Sequence, residues 1–426
     1  MKELKVIHLN TYEGNGGAGK ACLRLDKALN SNGVRSSVLV AYQFHESDKT
    51  RSLSNGIFGK ALALFNILAE RFIIKAFVKA LKIPFSLQWF GRSVIHHPDV
   101  KNADIIHLHW INHGFLAPKQ LAQLELLDKP MVWTFHDSNA FTGGCHVRYT
   151  CEHFHRQCGE CPLLRYGGKN DLSHQTWMRK KKAYSHLNFH IIAPSHWMAE
   201  SVKMSSLMGA RKVNVIPNTV DTQTFKPYLK SEAKKILRIS SEKFVLMSGF
   251  MPSKNDKHKG TNYLIEALEK FSKRSGIRRE NIELVIFGNK ENVEMPEFPF
   301  HTTFLGTIHN EEHLAKCYSA ADAFLTASLE DNLPNTVMES LACATPVIAF
   351  KTGGIPDMVK HQYNGYLADY QSAEDLANGI EWLYKTADQQ LIQKQARQLV
   401  LTTFSPQVIA QQHAALYQSL IPSNHL

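Results

Sequence analysis

The sequence predicts an α/β protein built from two Rossmann-like, doubly wound domains whose strand ends face a cleft. Three observations carry this. The chain has 426 residues, enough for two or three domains with full cores. Short apolar runs alternate with longer helical stretches from end to end, the pattern of βαβ units and parallel sheets. The runs also fall into two groups, separated near the turn-rich segment VIPNTVDTQTFKP. We place the boundary between residues 195 and 225, giving domains over 1–200 and 201–404 and a last helix over 405–426.

Composition narrows the class before any motif does. A hydrophobic content of 44% with 20% charged residues is ordinary for a soluble globular protein. The opening MKELKVIHLN reads as a strand, not as a cleavable leader. No uncharged apolar run reaches the roughly 18 residues of a membrane span, so a cytoplasmic protein is expected. The net charge of +11 is one-sided. Residues 1–190 hold 25 Lys and Arg against 14 Asp and Glu, whereas the remainder holds 24 of each. That imbalance points to an anionic partner met by the first half: membrane lipid, a phosphate-bearing substrate or nucleic acid. No RNA-stacking motif or recognition helix accompanies it, so nucleic acid is not expected.

The first strand, KVIHLN, leads into GNGGAGKA at 14–21. Gly14, Gly19 and Lys20 have P-loop spacing, but Ala21 stands where a hydroxyl would hold magnesium. No Walker-B strand accompanies it. The loop therefore reads as a phosphate-facing glycine turn before a helix starting near Gly19, with Gly16 and Gly17 allowing close backbone approach. The strand SSVLVAY follows. Residues 57–85 are apolar yet carry Lys60, Arg71, Lys75, Lys79 and Lys82 against the single acid Glu70. On one helix these cations share an arc of about 100°. This suits an interfacial helix on an anionic membrane, or equally a buried helix pair with a basic edge. The basic run RKKK at 179–182 would add to the former or form a solvated face.

Strands ADIIHLHW, PMVWTFHD and FHIIAPS complete the first half. His136 and Asp137 end the second of these and face the cleft, while His107, His109 and Trp110 end the first and read as structural at least as readily as functional. Between the last two strands lies a Cys-rich insertion, 143–165, with Cys145, Cys151, Cys158 and Cys161. Four cysteines within 17 residues, ending in C-x-x-C, read as a tetrahedral zinc site in a reducing compartment. His146, His153 and His155 are alternative ligands. With every position filled by protein, such a metal is structural, and no cofactor is expected for catalysis. Cys22, Cys317 and Cys343 read as core.

The second half runs FVLMSGF, IELVIFG, TTFLG, AFLTAS and TPVIAF, with helices between. Its most specific segment is DAFLTASLEDNLPNTVMESLACATPVIAFKTGGIPDMV, residues 322–359. An acidic loop follows the strand, a helix starting near Pro334 or Asn335 carries Glu339, and a Gly-Gly loop closes the segment. Here the chain resembles the family 4 retaining glycosyltransferases of the GT-B fold. The likeness extends to GGAGKACLRLDKAL, APSHWMAESV, NVIPNTVDTQTFKP, FLGTIHNEEHLAKCYSAADAFLTAS and NGYLADYQSAEDLANGIEWL.

The resemblance implies an enzyme that moves a sugar from a UDP- or GDP-linked donor to a glycan acceptor. It makes 1–200 the acceptor-side domain, 201–404 the nucleotide-sugar domain, and 405–426 a helix that crosses back to the first. Glu339 would accept hydrogen bonds from the ribose diol. Asp331 has the spacing of the signature's first acid, where the family usually has Glu, and the adjacent Glu330 is the alternative. Asn335 and Thr336, at a helix start, would offer N–H groups to the diphosphate. The family's Arg is missing from SGFMPSKNDKHKGTNYL; Lys259 matches its Lys, and Lys254 or Lys257 is the nearest other cation. His136 would position the donor sugar and stabilise the transition state, so we class it with Asp331 as catalytic. A lipid-linked acceptor in capsule, O-antigen or exopolysaccharide assembly, reached from the inner membrane face, fits the charge and the family's habit. A nucleotide-sugar epimerase of the same fold is the second reading.

Overall fold

The computed structural model describes residues 3–14, 16–43, 50–54, 56–79, 84–249, 257–288 and 296–421. The chain divides into two compact units, Met1–Thr219 with Pro406–Leu426, and Val220–Ser405.

The first unit is a sheet of seven parallel strands: β1 (Lys5–Tyr12), β2 (Arg35–Tyr42), β3 (Thr50–Ser52), β4 (Ile105–Leu108), β5 (Met131–Thr134), β6 (Phe189–Ala193) and β7 (Val213–Val215). Their spatial order is β3-β2-β1-β4-β5-β6-β7. The reversal between β1 and β4 is the switch point where such sheets place their ligands. The five apolar strands are those expected, and the two short edge strands are additions. TRS and VNV are too short and too polar to stand out before their neighbours are known. β7 pairs with β6 through Ile191↔Val213, which carries the unit past residue 200 to Thr219.

Helices cover both faces because βαβ crossovers deliver them there. Ile7, Leu9, Ile106, Leu108, Met131 and Trp133 pack on one side. Val6, Ile105, Val132 and Ile192 pack on the other, against Leu25 of helix α1 (Gly16–Asn30) and Ile409 and Tyr417 of the C-terminal helix Pro406–Leu420. Helix α2 spans Gly56–Phe77. The run expected to be helical to residue 85 therefore stops earlier. Val78 instead bridges Leu164, so Lys79 lies off the helix, and Lys82 lies outside the described residues.

The second unit is a six-stranded parallel sheet: β8 (Phe244–Gly249), β9 (Ile282–Phe287), β10 (His301–Phe304), β11 (Ala323–Thr326), β12 (Val347–Phe350) and β13 (Gly365–Ala368). Their order is β10-β9-β8-β11-β12-β13, with the reversal between β8 and β11. The sequence reading omitted only β13. Buried residues fill both sides of this sheet too, with Val245, Met247 and Val347 on one side and Leu246, Leu284 and Ile348 on the other.

Candidate active site

In the second unit three loops meet at the strand ends beside the switch point. The loop after β8 ends in a tight turn, Lys257–Lys259, followed by Gly260. Gly260 has φ +60°, and a Cβ there would lie 1.9 Å from the Ala327 carbonyl oxygen. Glycine thus lets this loop lie against the chain leaving β11. Leu329 N–H donates to the His258 carbonyl at 2.6 Å, and Thr352 O–H donates to the Leu329 carbonyl at 2.9 Å. Gly353, at φ +54°, leaves the same slim margin: a Cβ there would sit 1.9 Å from the Asp331 carbonyl oxygen. Gly354 N–H donates to that oxygen at 3.0 Å.

This convergence brings Lys259 Nζ to 3.0 Å from Asp331 Oδ2. Asp331 is therefore in contact with the loop lysine. Glu330 also acts locally: after burial, its charge is what raises the Tyr370 hydroxyl. Lys254 lies outside the described residues.

The helix Asn335–Ala342 starts directly beyond this acidic loop. Pro334 is its N-cap and supplies no side-chain cap bond. A proline there also ends the loop in an extended conformation that hands its chain into a helix. Asn335 and Thr336 are half-buried in the first turn. Glu339 follows one turn on, only 2% exposed, and accepts a hydrogen bond from the Tyr318 hydroxyl at 3.3 Å. A buried carboxylate beside an uncapped helix start is an arrangement suited to a polyhydroxylated anion.

In the first unit, Gly16 and Gly17 do not precede the helix as expected; they are the exposed first residues of α1. Gly16 has φ +74°, with open space where a Cβ would go. Ala21 lies in the next turn, 4% exposed. It lines a cavity of about 10 Å³ with His109, Thr134, His136, Thr219 and His413. That room suits a single water at most. The position that departs from the P-loop pattern is thus a packing contact beside the histidines.

His136 is half-buried just past β5. Burial lowers its pKa to about 4, so at neutral pH it is an uncharged imidazole. Its Nε2 lies 3.0 Å from His109 Nδ1. Asp137 is fully engaged: Oδ2 accepts from Trp110 Nε1–H at 2.8 Å and pairs with His146 Nδ1 at 2.6 Å, while Oδ1 accepts from Asn139 N–H at 2.8 Å. Burial alone would raise this carboxyl, but these partners hold it below its ordinary value. His146 also bonds Ser86 Oγ at 2.9 Å, so it braces Asp137 and is not available to replace a thiolate.

Residue-by-residue reading of the strands missed a row of polar groups. His8 pairs in register with His107, and the two-residue period puts His8, His107, His109, Thr134 and His136 on the sheet face covered by α1 and the C-terminal helix. His107 is held between the Tyr417 hydroxyl (2.7 Å) and Thr134 Oγ1 (2.8 Å). Burial pushes His107 and His109 well below the ordinary histidine range and His8 to about 3. Histidines interrupting otherwise apolar strand runs were the signal that could have found this row. Among the described residues, His8, His107 and His109 are the group of three whose ligand atoms lie within 4.8 Å of one another. No three of the four cysteine sulfurs are as close.

The cysteines nonetheless share one loop with amide donors around them. Gly143 N–H donates to Cys158 Sγ at 3.1 Å, and the amides of Leu163 and Leu164 act on Cys161. Burial raises Cys145 well above the thiol range, Cys158 to about 12 and Cys161 to about 11. Elsewhere in this unit, α2 turns Glu70 inward, where it accepts from Leu87 N–H at 2.8 Å. Its outer face exposes Leu64, Phe65, Leu68 and Phe72 beside Lys60, Arg71 and Lys75. The helix is therefore not one of a buried pair.

Comparison with known proteins agrees with this architecture. The family model for Glycosyltransferase Family 4 matches residues 15–224, and that for Glycosyl transferases group 1 matches residues 230–399. An uncharacterized glycosyltransferase of Methanocaldococcus jannaschii is 25% identical over 293 residues, 65% of this chain and 73% of that protein. The putative colanic acid biosynthesis glycosyl transferase WcaC of Escherichia coli is 21% identical over 358 residues, 81% of this chain and 83% of its own length. The crystal structure of Anabaena Alr3699/HepE in complex with UDP-glucose superposes with a TM-score of 0.63 at 18% identity, covering 98% of this chain and 100% of that one. At that identity the likeness speaks for the fold.

Proposed function

Because the chain belongs to the group 1 glycosyltransferases of family 4 type, with the GT-B fold, we propose that it is a retaining enzyme acting on a UDP- or GDP-linked sugar. The acceptor in this reading is a glycan, lipid-linked, in surface-polysaccharide assembly. The observation that carries the donor site is the Lys259–Asp331 contact beside the uncapped helix that bears Glu339.

Each group has a task in this reading. Glu339 takes the ribose diol. The first-turn amides at Asn335 and Thr336 and the Lys259 ammonium meet the diphosphate, with Lys254 as a further cation. Asp331, with Glu330 as the alternative, binds hydroxyls of the transferred sugar. A diphosphate would draw Lys259 from Asp331 and leave that carboxylate to the sugar. His136, neutral at working pH, donates or accepts a hydrogen bond at the sugar and does not serve as a general acid. The UDP-glucose complex of HepE supports a nucleotide-sugar donor, and the name of WcaC supports a polysaccharide product.

Two finer features complete the proposal. The outer face of α2 rests on an anionic membrane surface, which its exposed apolar and cationic side chains support. A structural zinc is held by Cys145, Cys151, Cys158 and Cys161, supported by the amide donors on Cys158 and Cys161. The sulfurs would draw together around it.

The test is a thermal-shift screen against UDP, GDP, ADP and their sugar conjugates, followed by turnover with the selected donor. We expect one base to stabilise the protein selectively. Glu339→Ala should abolish that shift and raise the donor KM by about tenfold or more, the scale of one lost charged hydrogen bond. A Glu339→Ala enzyme with unchanged donor affinity and turnover overturns the site.

A further inference from the structure

We propose that His8 and His109 are positioning residues that hold His136 in a single tautomer, with its proton on Nδ1. The proposal rests on His136 being the group that meets the transferred sugar, and it supplies what that reading lacks: which ring nitrogen donates.

The chain of contacts is short and buried. His8 Nδ1 lies 2.9 Å from His109 Nε2, and His109 Nδ1 lies 3.0 Å from His136 Nε2. His8 is 0% exposed and His109 3%. Burial keeps all three rings neutral, and a neutral imidazole has one N–H and one lone pair. His109 can therefore donate from only one nitrogen and must accept at the other. Both bonds consequently run in the same direction along the chain.

The far end decides which direction. His8 Nε2 is buried and has no hydrogen-bond partner among the described residues. If the bonds ran inward from His136, that nitrogen would carry an N–H with nothing to accept it. If they run outward, it carries only an unused lone pair. Orphaned buried donors are the rarer arrangement in proteins. The proton order is then His8 Nδ1–H to His109 Nε2, and His109 Nδ1–H to His136 Nε2. His136 must carry its own proton on Nδ1. The hydrogen bond made by one ring nitrogen thus sets the state of the other, as histidine pairs do at many sites.

His107 stays out of the chain because Tyr417 and Thr134 occupy both of its nitrogens. The same pairing argues against a metal among His8, His107 and His109. Coordination would break two or more of these short contacts. It would also undo the tautomer order.

The experiment is nitrogen-15 NMR of the histidine-labelled full-length protein near pH 7, with His136 assigned from a His136→Asn sample. The expected spectrum shows His136 protonated at Nδ1 and bare at Nε2. Two variants separate tautomer from packing. His109→Asn places an amide N–H where His109 Nδ1–H stood and should keep both the tautomer and kcat. His109→Phe removes the donor and should mix the tautomers. Its kcat should fall about tenfold or more with little change in donor KM, since a histidine in the wrong tautomer loses its role. A wild-type His136 protonated at Nε2 overturns the proposal without needing any variant to fold. So does an unchanged tautomer in His109→Phe. If instead His136→Asn turns over normally, the sugar-positioning role fails while the tautomer result stands by itself.

Discussion

Asp331 lies on the loop after β11 and Glu339 on the helix that continues it, whereas Lys259 comes from the turn after β8. The Lys259 ammonium reaches Asp331 only because Gly260 and Gly353 let two loops press on the same backbone. Single residues in the first unit show the same dependence. Cys158 and Cys161 have amide donors aimed at their sulfurs, which a thiolate uses better than a thiol. If zinc completes that loop, elemental analysis of protein purified without chelator should find about one zinc per chain, bound by four ligands. Cys158→Ser should lose it. Metal below a tenth of that, or zinc that survives Cys158→Ser, overturns the cysteine site, and the second outcome would direct attention to His8, His107 and His109.

Helix α2 shows how one element reconciles two environments. Ala63, Asn66, Glu70 and Ile74 recur at helical spacing and form its buried stripe. Because its single acid points inward, the outer face carries positive charge alone. Contiguous exposed apolar groups on that scale mark an interaction surface. We expect the protein to co-sediment with vesicles containing anionic phospholipid and not with purely neutral ones. Reversing Arg71 and Lys75 to Glu should weaken binding by roughly thirtyfold or more, since the two lost cations alone contribute about 1 kcal/mol each. Equal binding to neutral vesicles, or no effect of the double reversal, would remove the membrane surface. No helix among the described residues is long and apolar enough to cross a bilayer.

At the scale of the whole molecule, buried neutral histidines make stability depend on pH. His8, His136 and His413 have pKa values lowered to about 3, 4 and 4, and His107 and His109 are lower than usual as well. Burial is the leading cause for each. Between pH about 6.5 and 4 the unfolded chain takes up protons that the folded chain refuses, so stability must fall as pH falls. Each histidine contributes up to about 1.4 kcal/mol per pH unit in that window. Urea midpoints measured from pH 7.5 to 5 should drop steadily, before most carboxylates titrate. A flat profile would mean that the row is already charged or hydrated. The sequence by itself determined the class: two parallel α/β sheets, the strand that leads into His136, and the helix with Glu339 that follows an acidic loop. Period and composition suffice for those, because each is set within one short segment. The three short strands, the end of α2 and the start of α1 escaped it, since isolated residues such as those of TRS acquire meaning only from a partner strand. Only the tertiary structure decided that Lys259 meets Asp331, that Glu70 turns inward, and that His8, His109 and His136 form one chain. Those are pairings across 17 to 101 residues, and no local pattern encodes which segments become neighbours or in what register.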